Sequence, residues 1–174
     1  MPALLLFVIL FWPTPSTATV VDRIVAQVDD QLVLQSEAGL EEVLAGIDSL
    51  DTPFWDAGHK TPIERLVDAA IVRLAAGDIE IYQPEATALK ARREAVRSRF
   101  ASEDDWVAFL NRNGHTPQTF DTVLRRRMVV ELYLGRNNQA DRADSSLWLQ
   151  ACDALVDQLR ERSRVRMIEP RGAP

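Results

Sequence analysis

The side chains that most often carry chemistry are few in this chain and poorly spaced for it. His59 and His115 are its two histidines. Each sits among turn residues with no partner at ligand spacing, so they read as solvated turn positions and no metal site is expected. Cys152 is the single cysteine, which excludes an intramolecular disulfide. It falls on the apolar face of a predicted helix, where a buried small hydrophobe is expected rather than a nucleophile in need of a base and an electropositive surround. There is no G-x-S-x-G and no glycine loop to cradle a phosphate. The acidic pair Glu41-Glu42 reads as a solvated helix face, not as an acid/base pair. Two arginine sets, Arg92, Arg93, Arg97, Arg99 and Arg125-Arg126-Arg127, would suit nucleic acid. Inside amphipathic helices such blocks more often snorkel around the apolar stripe and pair with acidic neighbours. A formal net charge of −6 also opposes phosphate binding. No catalytic residue and no cofactor is expected.

What remains is apolar surface in unusual places. The run 48–60, DSLDTPFWDAGHK, is a polar loop by its Pro53, Gly58 and short polar residues. Phe54 and Trp55 lie inside it without a periodic stripe to bury them.

The elements that must position these residues are mostly helices. Thr61-Pro62-Ile63-Glu64 is a helix start: threonine caps, proline takes the first position, and Glu64 can close a capping box. Leu66, Ala69, Ala70, Val72 and Leu74 follow on that helix, and Gly77 is a natural stop. Pro84 opens a more polar helix with a thin stripe of Leu89, Val96 and Phe100, poorly capped by Tyr82-Gln83. Ser102 caps the next, which buries Trp106, Phe109 and Leu110. After Asn113-Gly114, Thr116-Pro117 begins the longest helix, with Phe120, Val123, Leu124, Met128, Leu132 and Tyr133 at three- and four-residue steps. A polar connection, 137–146, leads to a last helix with Trp148, Cys152, Leu155 and Leu159 on one face. Asp78 to Ile81 is expected to be briefly extended.

Extended structure is expected at the two ends of the folded chain. Ile24, Ala26 and Val28 alternate with Val25 and Gln27, Asp29-Asp30 supplies a turn, and Leu32, Val33 and Leu34 resume. Ser36 is an N-cap candidate for the helix carrying Leu40, Val43, Leu44 and Ile47. A lone hairpin has unpaired edges and is marginal by itself. The run 164–168 is therefore expected to return and pair with it. Residues 1–18 are excluded from the fold: Ala3 to Trp12 is an apolar run too short to span a bilayer, followed by Pro13, Pro15 and the small-residue pattern Ser16-Thr17-Ala18. They read as a signal peptide, although the basic start is missing; the alternative is an uncleaved apolar tail. With 174 residues, 19–174 makes one domain.

The order of these pieces resembles the SurA-type periplasmic chaperones, in particular the N-terminal chaperone region of that family. Val21, Asp22, Ile24, Ala26 and Val28 match its opening strand, and Val33, Leu34, Ser36 and Glu37 its second strand and helix start. Leu66, Ala70 and Leu74 match a helix stripe, and Ile79 and Ile81 an extended piece. Phe109, Leu110, Gly114, Thr116 and Phe120 follow its helix-turn-helix, and Arg126, Arg127, Glu131 and Leu132 its long helix. The likeness is clearest over 20–137. In the family one or two prolyl isomerase domains of the parvulin type follow, before a helix and strand return to complete the module. Here 138–146 stands where such a domain of roughly a hundred residues would be inserted, and 147–168 looks like the returning pair.

The resemblance implies a mainly helical domain with a small β element, in the periplasm, that keeps unfolded outer-membrane polypeptides soluble without ATP. No isomerase activity and no stable membrane insertion are expected. Phe54 and Trp55 are the leading candidates for client contact, with Trp106 and Tyr133 behind them. The alternative for Phe54 and Trp55 is that their loop folds back and buries them; for Trp106 it is an ordinary core position. A different class of function, an adaptor for one folded envelope partner, fits the same fold.

Overall fold

The computed structural model describes residues 22–48, 52–56 and 58–168. The expected leader, 1–18, lies outside them. The chain forms strand β1 (Ile24–Val28), strand β2 (Gln31–Leu34) and helix α1 (Gln35–Asp48), then a 3-10 turn (Pro53–Trp55) and α2 (Pro62–Ala76). A second 3-10 turn (Glu80–Tyr82) leads to α3 (Ala86–Arg97), α4 (Glu103–Arg112), α5 (Pro117–Asn137), α6 (Ser145–Arg160) and strand β3 (Val165–Met167). The protein is mainly helical, with one small antiparallel sheet in the order β2-β1-β3 among the described residues.

The sheet forms because the two ends of the fold meet. Asp29 turns the hairpin at φ 51°, a left-handed conformation that aspartate tolerates better than most residues. Asp29 then pins the returning strand with both backbone and side chain: its N–H donates to Arg164 O at 2.9 Å, and Arg164 N–H donates to Asp29 Oδ1 at 3.0 Å. Ala26, Gln27 and Val28 of β1 stand opposite Met167, Arg166 and Val165 of β3. One face of the sheet, through Val25, Ala26, Val28 and Val33, packs on Val67, Ala70 and Ile71 of α2.

Local start and stop signals act as their chemistry dictates. Thr61 and Glu64 form a reciprocal capping box at the start of α2, Ser102 Oγ accepts from Asp105 N–H, and Thr116 and Thr119 form a second box ahead of α5. Ser36 does not cap α1. The helix begins one residue earlier, and Ser36 donates both its N–H and its hydroxyl to Asp22, while Glu37 Oε2 accepts from Leu34 N–H at 3.0 Å. Asp22 is thus the group at this helix entrance, and the bonds from Ser36 hold its carboxyl below the ordinary range. The run 78–81 is not extended; it winds into the 3-10 turn, leaving Ile79 and Ile81 about half exposed.

Gly114 ends α4 with φ 70°. His115 N–H reaches Leu110 O at 2.9 Å and Gly114 N–H reaches Asn111 O at 3.1 Å, the paired bonds of a left-handed helix stop. No atom would meet an added Cβ, so Gly114→Ala should destabilise through the backbone alone, by about 1 kcal/mol. A urea midpoint unchanged in that variant would mean that the turn adopts another conformation.

Among the described residues, three apolar clusters fill the interior. Leu40 and Leu44 of α1 meet Leu89 and Val96 of α3, Trp106, Phe109 and Leu110 of α4, and Phe120 and Leu124 of α5. A second cluster joins Ala69 and Val72 of α2, Val130 and Leu134 of α5, and Trp148, Cys152 and Val156 of α6. The third is the sheet's contact with α2. Two stripes differ from those expected. On α1 Val43 is exposed while Glu41 and Ala45 are buried, and on α5 the most buried face runs Phe120, Leu124, Arg127, Val130, Leu134. In both helices a charged side chain occupies an inward position.

Candidate functional site

A cleft opens where β2, α1, α2 and α5 converge over the turn at Trp55. Its walls are apolar: Leu32 from β2, Leu40 and Leu44 from α1, Leu66 from α2 and Val123 from α5. Leu32 is half exposed at its mouth. The cleft is narrow, with a cavity volume of about 40 Å³. That suits one apolar side chain or a short aliphatic segment. Around the mouth the lining turns basic, with Arg73, Arg125 and Arg126 on a second, more polar stretch of surface that also holds Gln31 and Asp78.

The floor is a buried ionic network. Glu41, 3% exposed, stands between two arginines that are equally inaccessible. Arg65 Nε donates to Glu41 Oε1 at 3.0 Å, and Arg127 Nη1 donates to Glu41 Oε2. Arg65 also donates to the backbone oxygens of Asp56 and Lys60, which fastens the loop ahead of α2. The Arg127 guanidinium lies over the Trp55 ring at 4.0 Å, a cation–π contact strengthened by its dry surroundings. Trp55 Nε1–H donates to Glu131 Oε1 at 3.1 Å, and Arg92 Nη2 donates to Glu131 Oε2 at 2.6 Å. The network therefore ties α1, α2, α3 and α5 to one turn. Buried charges are tolerated only when paired and hydrogen-bonded in this way.

Phe54 and Trp55 do not project into solvent. Each is 1% exposed, and the rings meet edge to face at 4.9 Å. Of the two expectations for this loop, folding back and burial holds: a polar loop buries two aromatic rings, and distant α5 supplies a hydrogen-bond acceptor and a cation for the indole. Trp106 is a core residue at 3% exposure, stacked on Phe109 and edge to face with Phe120. Tyr133 is half-buried beside Tyr82, with ring centres 4.9 Å apart, and burial followed by Tyr82 raises its phenol pKa. Of these four residues only Trp55 lines the cleft, as part of its floor.

The cleft residues that sequence reasoning passed over are Glu41, Arg65 and Arg73. Arg65 shares a helix face with the buried Ala69, Val72 and Ala76, so a charge at an apolar-periodic position was the signal available. Glu41 was read as solvated and is not. Several basic residues of α5 and α3 find acidic partners: Arg126 with Glu37 at 3.2 Å, Arg93 with Asp121 at 2.6 Å, and Arg92 with Glu131. Arg73 differs. Its hydrogen bond goes to a neutral group, Gln31 Oε1, at 2.8 Å, and burial followed by repulsion from Arg126 pushes its pKa down to about 10.

A second ionic group lies on the other side of α2. Asp68, 1% exposed, accepts from Lys60 at 2.7 Å and from Arg160, and Lys60 also donates to Asp153 at 2.6 Å. Burial opposes the lysine's charge, but the bonds from the two carboxylates outweigh it and hold its pKa above the ordinary value. Cys152 is fully buried, and burial pushes its thiol up to about 11, so it is a neutral core group at physiological pH. Among the described residues no group of three His, Cys, Asp or Glu side chains could hold a metal ion, and no helix is long and apolar enough to cross a membrane. Compared with known proteins, the chain matches no family model and no curated sequence.

Proposed function

We propose that this protein is an ATP-independent holding chaperone of the periplasm, of the SurA N-terminal type, which binds unfolded outer-membrane or secreted polypeptides without prolyl isomerase activity. The observation that carries this reading is the apolar cleft with the half-exposed Leu32 at its mouth. A soluble domain has no packing reason to leave such a slot open, and weak capture of extended chains needs accessible apolar area beside a strand edge. β2 is an edge strand, paired with β1 on one side. The ordered resemblance from the first strand through the long helix supports the same reading. So does the connection between α5 and α6, residues 138–144, which is far too short for an inserted isomerase domain. We place the contact surface at the cleft, whose floor includes Trp55, while Phe54 and Trp106 are buried core residues.

The test is suppression of aggregation of an unfolded outer-membrane barrel protein by the purified chain without ATP, paired with a peptide isomerisation assay. Near-stoichiometric suppression without isomerase activity is the expected result. A well-folded protein that suppresses nothing would sink this reading and favour an adaptor for one folded partner; measurable isomerisation would refute the non-catalytic part.

A further inference from the structure

The basic rim of the cleft is more specific than a general holding surface requires. Counted with its floor, the cleft and its rim hold four arginines, Arg73, Arg125, Arg126 and Arg127, against three acids, Glu37, Glu41 and Asp78, in a chain whose net charge is −6. Local charge therefore opposes the global charge, which marks a place for an anion. Arg73 is the residue that most needs one. It lies at the junction of the apolar slot and the basic stretch, bonded to an amide rather than a carboxylate. Arg126, the second cation at this junction, is half exposed and reaches Glu37 at 3.2 Å, so it can swing between that acid and a ligand.

The apolar and cationic parts are adjacent, and both have limits. The slot holds one side chain or a few methylenes and has no room for a long acyl chain. The strand that forms its mouth, β2, is an edge strand of the sheet among the described residues, along which an extended backbone can lie. A ligand that joins an extended backbone, one apolar side chain and a carboxylate is a polypeptide end.

We propose that the cleft is a subsite for the C-terminal carboxylate of an extended polypeptide whose last residue is apolar. The terminal side chain enters between Leu32, Leu66 and Val123, and the carboxylate is taken by the Arg73 and Arg126 guanidiniums. Charge-assisted bonds of this kind are roughly twice as strong as neutral ones, and the low-dielectric setting of Arg73 strengthens them further. The subsite rests on the polypeptide-binding reading and narrows it to chain ends.

Fluorescence anisotropy of the full chain with a labelled decapeptide ending in leucine tests this, using the free acid and the C-terminal amide. The free acid should bind about tenfold more tightly or better, and Arg73→Met should abolish that preference while the amide's weak affinity stays. If Arg73→Met does not fold, Arg126→Gln at the half-exposed position should reduce the preference instead. Equal affinity for acid and amide overturns the proposal, as does decanoate binding in the cleft with no peptide binding. No peptide binding alongside intact suppression of barrel-protein aggregation removes the subsite and leaves the holding function. A clear free-acid preference with no suppression does the reverse.

Discussion

Glu41→Gln should cost the protein about 3–5 kcal/mol, whereas Glu42→Gln, one residue along the same helix, should cost less than about 0.5 kcal/mol. The two positions differ only in what faces them. Glu42 is exposed, while Glu41 is 3% exposed and bonded to both Arg65 and Arg127. Replacing the carboxylate by an amide takes from Arg65 and Arg127 the buried counter-charge they share, and the penalty is that of breaking a buried ionic group rather than of one lost hydrogen bond. For a domain of this size the expected fall in melting temperature is about 10 °C. Making Arg65→Met and Arg127→Met as well should recover much of the loss, because apolar groups of similar volume often replace buried ion pairs at little cost. Thermal melts of the single and triple variants check both statements. A loss below about 1 kcal/mol for Glu41→Gln would mean that the network is dispensable and that the cleft floor is held by packing alone.

This network also explains which parts of the molecule were legible in the sequence. Helix starts at Thr61-Pro62, Ser102 and Thr116-Pro117, and stops at Gly77 and Gly114, depend on bonds within a few residues and could be read directly. The alternation from Ile24 to Leu34 and the return of 164–168 were readable for a related reason: a short hairpin with a bare edge needs a partner. The burial of Trp55 could not be read that way. It depends on Glu131 and Arg127, more than seventy residues away, and the loop around it is polar in composition. Glu41 failed for the same cause, because its acidic neighbour suggested a wet face while its partners lie on α2 and α5. Arg73 carried no local mark at all; only the meeting of α2 with β2 and α5 makes it the border between an apolar slot and a basic rim. Position in a helix was legible. Company across the fold was not.

Removing the chain after Glu161 should destabilise the protein by about 3 kcal/mol or more, even though β3 is only three residues long and sits at the sheet's edge. The truncation deletes the bonds from Asp29 to Arg164, from Arg164 back to the Asp29 carboxylate, and from Ile168 N–H to Val25 O at 2.9 Å, along with the ladder opposite Ala26, Gln27 and Val28. Each such bond contributes on the order of 1 kcal/mol. The loss also uncovers one flank of Ala26 and Val28, which are fully buried in the intact protein. The effect reaches the cleft because, among the described residues, β1 is the one neighbour of β2 within the sheet. A loosened β1 lets Leu32 and Gln31 drift from Arg73 and widens the slot. Truncated protein should therefore melt about 10 °C lower and lose discrimination between peptide acid and amide at temperatures where its helices still register by circular dichroism. An unchanged melting temperature would show that the hairpin is held by α2 alone, through the packing of Val25, Val28 and Val33 on Val67, Ala70 and Ile71, with the returning strand as a passive cover.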